Sequence, residues 1–160
     1  MDFRNILFLV VVSLLLMGCV SAQKNVSDFQ IDNSYSSAFN GSNVSLYLNE
    51  KHDAGITVYK YLEFNVDDIE DGPYDDLIHD NGRDYLTPDD DFKIDKNPDN
   101  TFNFTDYDHG QHGVGEVINV DGDKFIIIVW AKDSSNINNS DLISKLSNFN
   151  KDNSVEAIAF

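Results

Sequence analysis

Apolar and polar positions in the C-terminal third of the chain predict a β-hairpin. Two apolar stretches, residues 114–120 and 124–131, flank Asp121 and Gly122. This pair suits the positive φ angles of a tight hairpin turn. The second stretch contains Phe-Ile-Ile-Ile-Val-Trp from Phe125 onward, without alternation. We therefore expect this strand to be covered on both faces and to lie at the centre of a sheet.

The residues that follow this hairpin predict one helix and a closing strand. Ser140 can cap the helix, and residues 155–160 have the pattern of a short strand. Four apolar residues share one side of the predicted helix: Leu142, Ile143, Leu146 and Phe149.

Alternation of apolar and other residues earlier in the chain predicts a second hairpin. Val44, Leu46 and Leu48 alternate with other residues, and a longer alternating run covers residues 56–66 beyond a short loop that contains a glycine. The expected fold class is α+β: a small, mostly antiparallel sheet, one C-terminal helix packed on it and a long acidic loop segment. We expect one such domain at residues 44–160. Residues 23–43, rich in Ser and Asn without a sustained period, predict a flexible tether.

The first 22 residues are typical of an export signal. An apolar run at residues 6–17 is too short to span about 30 Å of hydrocarbon as a helix. Leu-Met-Gly-Cys at residues 16–19 resembles the lipobox of prokaryotic lipoproteins, which implies that Cys19 carries a lipid anchor. Val-Ser-Ala at residues 20–22 also suits ordinary cleavage before Gln23, and an uncleaved anchor is the third alternative. The composition, rich in Asn, Asp, Ile and Lys, resembles that of uncharacterised secreted proteins of methanogenic archaea.

The charge of the chain indicates its class of partner. Eleven Lys and Arg residues stand against 28 Asp and Glu residues, so the formal net charge is −17. Nucleic-acid binding is excluded because phosphate backbones are held by an excess of basic residues. Divalent cations, and a basic surface of a cell-envelope or protein partner, are expected instead. Cys19 is the only cysteine, which excludes intramolecular disulfides, a cysteine nucleophile in the domain and zinc bound by cysteine.

The acidic segment, residues 67–108, contains the clearest candidate metal site. It has fourteen Asp and one Glu against three basic residues. Residues 95–106 resemble the twelve-residue calcium loop of EF-hand proteins, in which oxygen ligands recur at fixed places. The resemblance implies a calcium site made by six residues: Asp95, Asn97, Asp99, Thr101, Asn103 and Asp106. Asn100 takes the place of the usual glycine, since asparagine tolerates a left-handed turn. The alternative is a solvated acidic turn whose Asp and Asn side chains cap backbone amides.

A second candidate site comprises His109, His112 and Glu116, whose imidazoles and carboxylate are suitable ligands for a transition metal such as zinc. The glycines at positions 110, 113 and 115 favour a flexible loop, so a hydrogen-bonded or exposed histidine loop is the alternative. Common catalytic motifs, such as Gly-x-Ser-x-Gly and His-Glu-x-x-His, are missing from the sequence.

Three functions remain open at this point. The first is an exported, surface-associated acidic domain that binds divalent cations, calcium foremost, with a non-catalytic recognition or envelope role. The second is a zinc-dependent hydrolase that uses His109, His112 and Glu116. The third is a structural envelope protein without a specific metal.

Overall fold

The structure is a computed structural model that describes residues 24–61, 92–107 and 110–159. The predicted export signal with Cys19, most of the acidic segment and His109 lie outside the described residues. Within these described ranges, a short 3₁₀ turn at Val26–Asp28 precedes seven strands and one helix. These are β1 (Tyr35–Asn40), β2 (Val44–Asn49), β3 (Ala54–Tyr61), β4 (Phe92–Lys96), β5 (Thr101–Asp106), β6 (Gln111–Val120), β7 (Asp123–Lys132) and α1 (Asn139–Asn153).

The strands form one antiparallel sheet in the order β1-β2-β3-β7-β6-β5-β4. An antiparallel sheet with one C-terminal helix confirms the α+β class, although seven strands make the sheet larger than the small one expected. β7 is the fourth of the seven strands, and its residues 125–131 are all buried. The central position predicted from its unbroken apolar run is therefore confirmed.

Both predicted hairpins are present. β2 pairs with β3, and β6 pairs with β7 around Asp121 and Gly122, whose φ angles are 55° and 91°. β3 then pairs with β7 along its whole length, from Ala54 opposite Ala131 to Tyr61 opposite Lys124. This long-range pairing joins the two hairpins into one sheet.

Helix α1 packs on one face of the sheet. Leu142, Leu146 and Phe149 are buried among apolar residues of β3, β6 and β7. Ile143 was expected on the same side, but it is 56% exposed because it lies one residue beyond the buried stripe. The predicted cap is also corrected: Asn138, not Ser140, accepts a hydrogen bond from the Asp141 amide at 3.2 Å.

Removing this cap should destabilise the domain slightly. We expect Asn138→Ala to lower the free energy of unfolding by about 1 kcal/mol, because the amide of Asp141 loses its side-chain acceptor. Asn139→Ala, at the exposed first position of the helix, is the matched control and should change stability by only a few tenths of a kcal/mol. Urea denaturation of the two variants measures the difference, and equal losses would contradict the cap.

Two predictions about the ends of the domain were wrong. The described part of the expected tether is folded: Val26 and Phe29 are buried in the core under α1, and β1 pairs with β2. The scattered apolar residues of this segment lack a period because they serve a 3₁₀ turn and an irregular strand rather than one long element. At the other end, residues 155–159 form a single bridge, Ile118 to Ala157, instead of a strand.

Glycines opposite large rings are a feature of the face of the sheet away from α1. Phe104 is opposite Gly113 and Phe102 is opposite Gly115 in the pairing of β5 with β6, and each ring lies over its glycine. A Cβ at Gly113 would lie 2.0 Å from Cε1 of Phe104. The glycines of residues 110–115 were expected to indicate a flexible loop. Two of them instead lie in β6, where only a hydrogen leaves room for the rings.

Candidate cation-binding cleft

The predicted calcium loop is a β-hairpin. Residues 95 and 96 belong to β4, residues 101–106 form β5, and Asp95 is opposite Asn103. The turn between the strands contains Asn100 with φ 64°, so the prediction of a left-handed turn at this asparagine is confirmed. The loop interpretation is corrected, because Phe102 and Phe104 alternate with polar residues as in a strand.

The hairpin brings some of the six predicted ligands together and separates the others. Asn97, Asp99, Thr101 and Asn103 surround the turn and line one cleft on the α1 side of the sheet. Asp106 is buried with Phe102 and Phe104 on the opposite side, because side chains alternate along β5. The carboxylate of Asp95 accepts a hydrogen bond from Lys93 Nζ at 2.7 Å and does not line the cleft. The six residues therefore do not surround a single point.

The polar side chains at the turn form a connected network. The Thr101 hydroxyl donates to Asp99 Oδ1 at 2.6 Å, and the Thr101 amide donates to the same oxygen at 3.2 Å. Asn97 Nδ2 donates to the Thr101 hydroxyl, and Asn103 Nδ2 donates to Asn97 Oδ1. The hydrogen bonds from Thr101 lower the pKa of Asp99. Asp99 thus caps a backbone amide, as the alternative interpretation expected, and its charge faces the cleft.

Glu116 of β6 lies beside this turn, opposite Thr101 in the pairing of β5 with β6. The residue is 1% exposed. Asn150 Nδ2 of α1 donates to Glu116 Oε2 at 2.9 Å. Among the described residues, neither Glu116 Oε1 nor Asn150 Oδ1 has a hydrogen-bond partner, although both atoms are buried. Two acceptors on adjoining side chains that line the cleft are therefore unsatisfied, which costs free energy.

Burial raises the pKa of Glu116 to about 7. The hydrogen bond from Asn150 acts against this rise, and the negative charge of Asp99 adds to it. The two carboxyl groups of the cleft therefore differ: hydrogen bonds favour the charged form of Asp99, while desolvation opposes the charged form of Glu116. A cation placed between them would stabilise both negative charges.

The cleft has a volume of about 620 Å³ and lies between the β4–β5 turn, β6 and α1. Its polar part is formed by the turn network together with Glu116 and Asn150. Ile143 and Leu146 of α1 form an apolar wall on the other side. Within the described part of the chain, neither Lys nor Arg lines the cleft, so its formal charge is negative.

Comparison with known proteins gives no relative. The chain matches no protein-family model, no curated protein and no solved structure. Function must therefore be inferred from the residues themselves. Among the described residues, none of the helices is both long enough and apolar enough to cross a bilayer.

Of the predicted transition-metal ligands, His109 lies outside the described residues, and the other two are not brought together. His112 and Glu116 are four residues apart on β6, a separation of about 13 Å along a strand. Nδ1 of His112 lies 2.9 Å from Asp133 Oδ1, and its Nε2 lies 3.2 Å from the Ile137 carbonyl oxygen. His112 is thus a hydrogen-bonded residue that holds the β7–α1 connection, in line with the alternative interpretation. In the described ranges no three His, Cys, Asp or Glu residues are grouped as a metal site would require.

Asn150 is the residue of the cleft that sequence reasoning missed. The sequence contains a signal for it, because Asn150 follows Leu146 by four residues and Ile143 by seven on the same side of α1. The sequence pattern groups Glu116 with the histidines, but its hydrogen-bond partner is Asn150. An acidic residue within the apolar residues 114–118 is itself a signal of a buried polar site.

Proposed function

We propose that this protein is an exported, surface-associated acidic domain of non-catalytic type that binds a divalent cation, calcium foremost, in the cleft beside Glu116. One observation carries the proposal: Glu116 lines the cleft, and its buried Oε1 atom has no hydrogen-bond partner among the described residues. A buried acceptor without a donor is unfavourable, and a cation would satisfy it. The proposed function is recognition rather than catalysis.

The chemistry of the cleft supports a hard cation. Calcium binds six to eight oxygens at about 2.3–2.6 Å, from carboxylates, amide carbonyls and water. The cleft provides the carboxylates of Asp99 and Glu116 and the amide oxygens of Asn103 and Asn150, and water can supply the remainder. This ligand set keeps two of the six residues predicted from the calcium-loop resemblance, Asp99 and Asn103, and adds two that lie on other elements.

Export is supported by the first 22 residues, and surface retention by the lipobox-like sequence that ends at Cys19. The net charge of −17 agrees with a partner or ligand of positive charge outside the cell. In this proposal the bound ion joins the β4–β5 turn to α1, since its ligands come from both. The cation thereby fixes the edge of the sheet for recognition of an envelope or protein partner.

Calcium should raise the melting temperature of the purified protein. A ligand that binds only the folded state stabilises it by RT ln(1 + [L]/Kd), which is about 2.7 kcal/mol at a hundredfold excess over Kd. Thermal denaturation at about pH 8, where Glu116 is ionised, should therefore show a rise in millimolar calcium that magnesium does not match. Isothermal titration calorimetry measures the same binding directly.

Glu116→Gln should abolish most of this response, because the variant keeps the shape of the side chain but not its charge. Asp152→Asn is the matched control: it removes one exposed carboxylate from α1, outside the cleft, and should leave the calcium response unchanged. A wild-type protein with no heat of binding and no change in melting temperature would refute the proposal. Equal losses in the two variants would show general charge screening instead of a site.

A further inference from the structure

We infer that the cleft also accepts the side chain of an arginine from a protein partner, with the guanidinium group at Glu116 and Asn150 and the alkyl stem against Ile143 and Leu146. This inference rests on the proposed function, because it assigns a second class of cation to the same site. It names the kind of partner that an acidic recognition domain would bind.

The unsatisfied atoms determine the chemistry of the ligand. Glu116 Oε1 and Asn150 Oδ1 are both acceptors, and both are buried without partners among the described residues. The two groups are adjacent, since Asn150 Nδ2 donates to Glu116 Oε2 at 2.9 Å. A ligand must therefore supply at least two donors to neighbouring oxygens, and a positive charge would offset the negative charge of Glu116 and Asp99.

The size and the apolar wall of the cleft determine the rest of the ligand. A volume of about 620 Å³ greatly exceeds that of one ion with a few waters, each of which takes roughly 30 Å³. Ile143 is 56% exposed and, with Leu146, lines the side of the cleft facing the polar turn. A bare metal ion makes no use of this apolar surface, whereas the stem of a basic side chain would cover it.

Arginine fits these features better than lysine. The planar guanidinium group presents several N–H donors in one fork, which can reach two neighbouring acceptors on different side chains. It is also more weakly hydrated than an ammonium group, so moving it to a buried oxygen costs less. Asn150 already donates to Glu116 Oε2, so the acceptors without partners that the fork would satisfy are Glu116 Oε1 and Asn150 Oδ1.

The test compares N-acetyl-arginine amide with N-acetyl-citrulline amide, which has nearly the same shape without the charge. Calorimetry or NMR titration of the purified protein should show at least about tenfold tighter binding of the arginine compound. Glu116→Gln should weaken that binding by about 10- to 100-fold, and Asp152→Asn should not change it. Ile143→Ser, at an exposed position, should weaken it several-fold through lost contact with the stem.

Competition with calcium separates this inference from the proposed function. Calcium should displace the arginine compound from the wild-type protein, since both use Glu116 Oε1. If calcium binds and the two amides bind equally weakly, the arginine inference is overturned and the proposed function stands. If the arginine compound binds selectively and calcium does not, the inference stands and the divalent-cation proposal fails. Failure of both ligands overturns both.

Discussion

Gly113→Ala should be among the most damaging single substitutions in the described part of the chain, lowering the free energy of unfolding by about 3 kcal/mol. The added Cβ would lie 2.0 Å from Cε1 of Phe104 and 2.8 Å from the backbone oxygen of Val129. The ring is 1% exposed, and the oxygen belongs to the central strand, so neither can move away freely. Urea denaturation followed by circular dichroism measures the loss.

A double variant provides the control for this prediction. Phe104→Leu removes the ring that lies over Gly113, so adding Gly113→Ala to it should cost clearly less than adding Gly113→Ala to the wild type. The coupling energy between the two sites then reports the contact directly. A Gly113→Ala protein that unfolds at the wild-type midpoint would contradict the described packing of β5 on β6.

Glu116→Gln should stabilise the metal-free protein at about pH 8 by up to about 3 kcal/mol. The pKa of Glu116 is raised from 4.5 to about 7, so ionisation is harder in the folded than in the unfolded state. The folded state consequently binds more protons, and its stability falls as pH rises from about 4.5 to about 7. Glutamine keeps the acceptor for Asn150 without the charge and removes this loss.

The pH dependence of the difference tests the assignment. Stability curves of wild type and Glu116→Gln should differ little at about pH 4.5, where the carboxyl group is protonated in the folded state and half protonated in the unfolded state, and should separate progressively up to about pH 7. Calcium should reduce the separation at the upper end by stabilising only the wild type. A difference that stays constant over this range would show that Glu116 ionises at its ordinary pKa.

The sequence predicts those elements of the fold that depend on local patterns. The Asp121-Gly122 hairpin, the β2–β3 hairpin and the buried central strand follow from turn chemistry and from the spacing of apolar residues. β5 had a similar signal, since Phe102 and Phe104 alternate with Thr and Asn. The same residues also place side-chain oxygens at regular spacing, and this resemblance to a calcium loop favours a loop over a strand. Side chains alternate between the two faces of β5, so Asp106 lies on the opposite face from Thr101 and Asn103 and cannot share a calcium ion with them.

The cleft itself could not be predicted, because it depends on tertiary contacts. Glu116 meets Asn150 only through the packing of α1 on β6, across 34 residues of sequence. The role of the glycines of β6 also depends on contacts that the sequence does not reveal. Without knowledge that Phe102 and Phe104 are opposite them, Gly113 and Gly115 suggest a loop. Residue types indicated the oxygens of the proposed cation site, whereas the register of the strands determines which of these oxygens lie on the same face.

The pairing of β3 with β7 also has a consequence for how the chain folds. Tyr61 is opposite Lys124, so closing the middle of the sheet requires the ends of a long intervening segment to meet. Such non-local closure carries a large entropic barrier and is slow compared with the formation of either hairpin. During synthesis β3 cannot pair with the central strand β7 until the last quarter of the polypeptide has been made. For the proposed export, this delay would keep the chain unfolded enough for a translocation channel that accepts only unfolded chains.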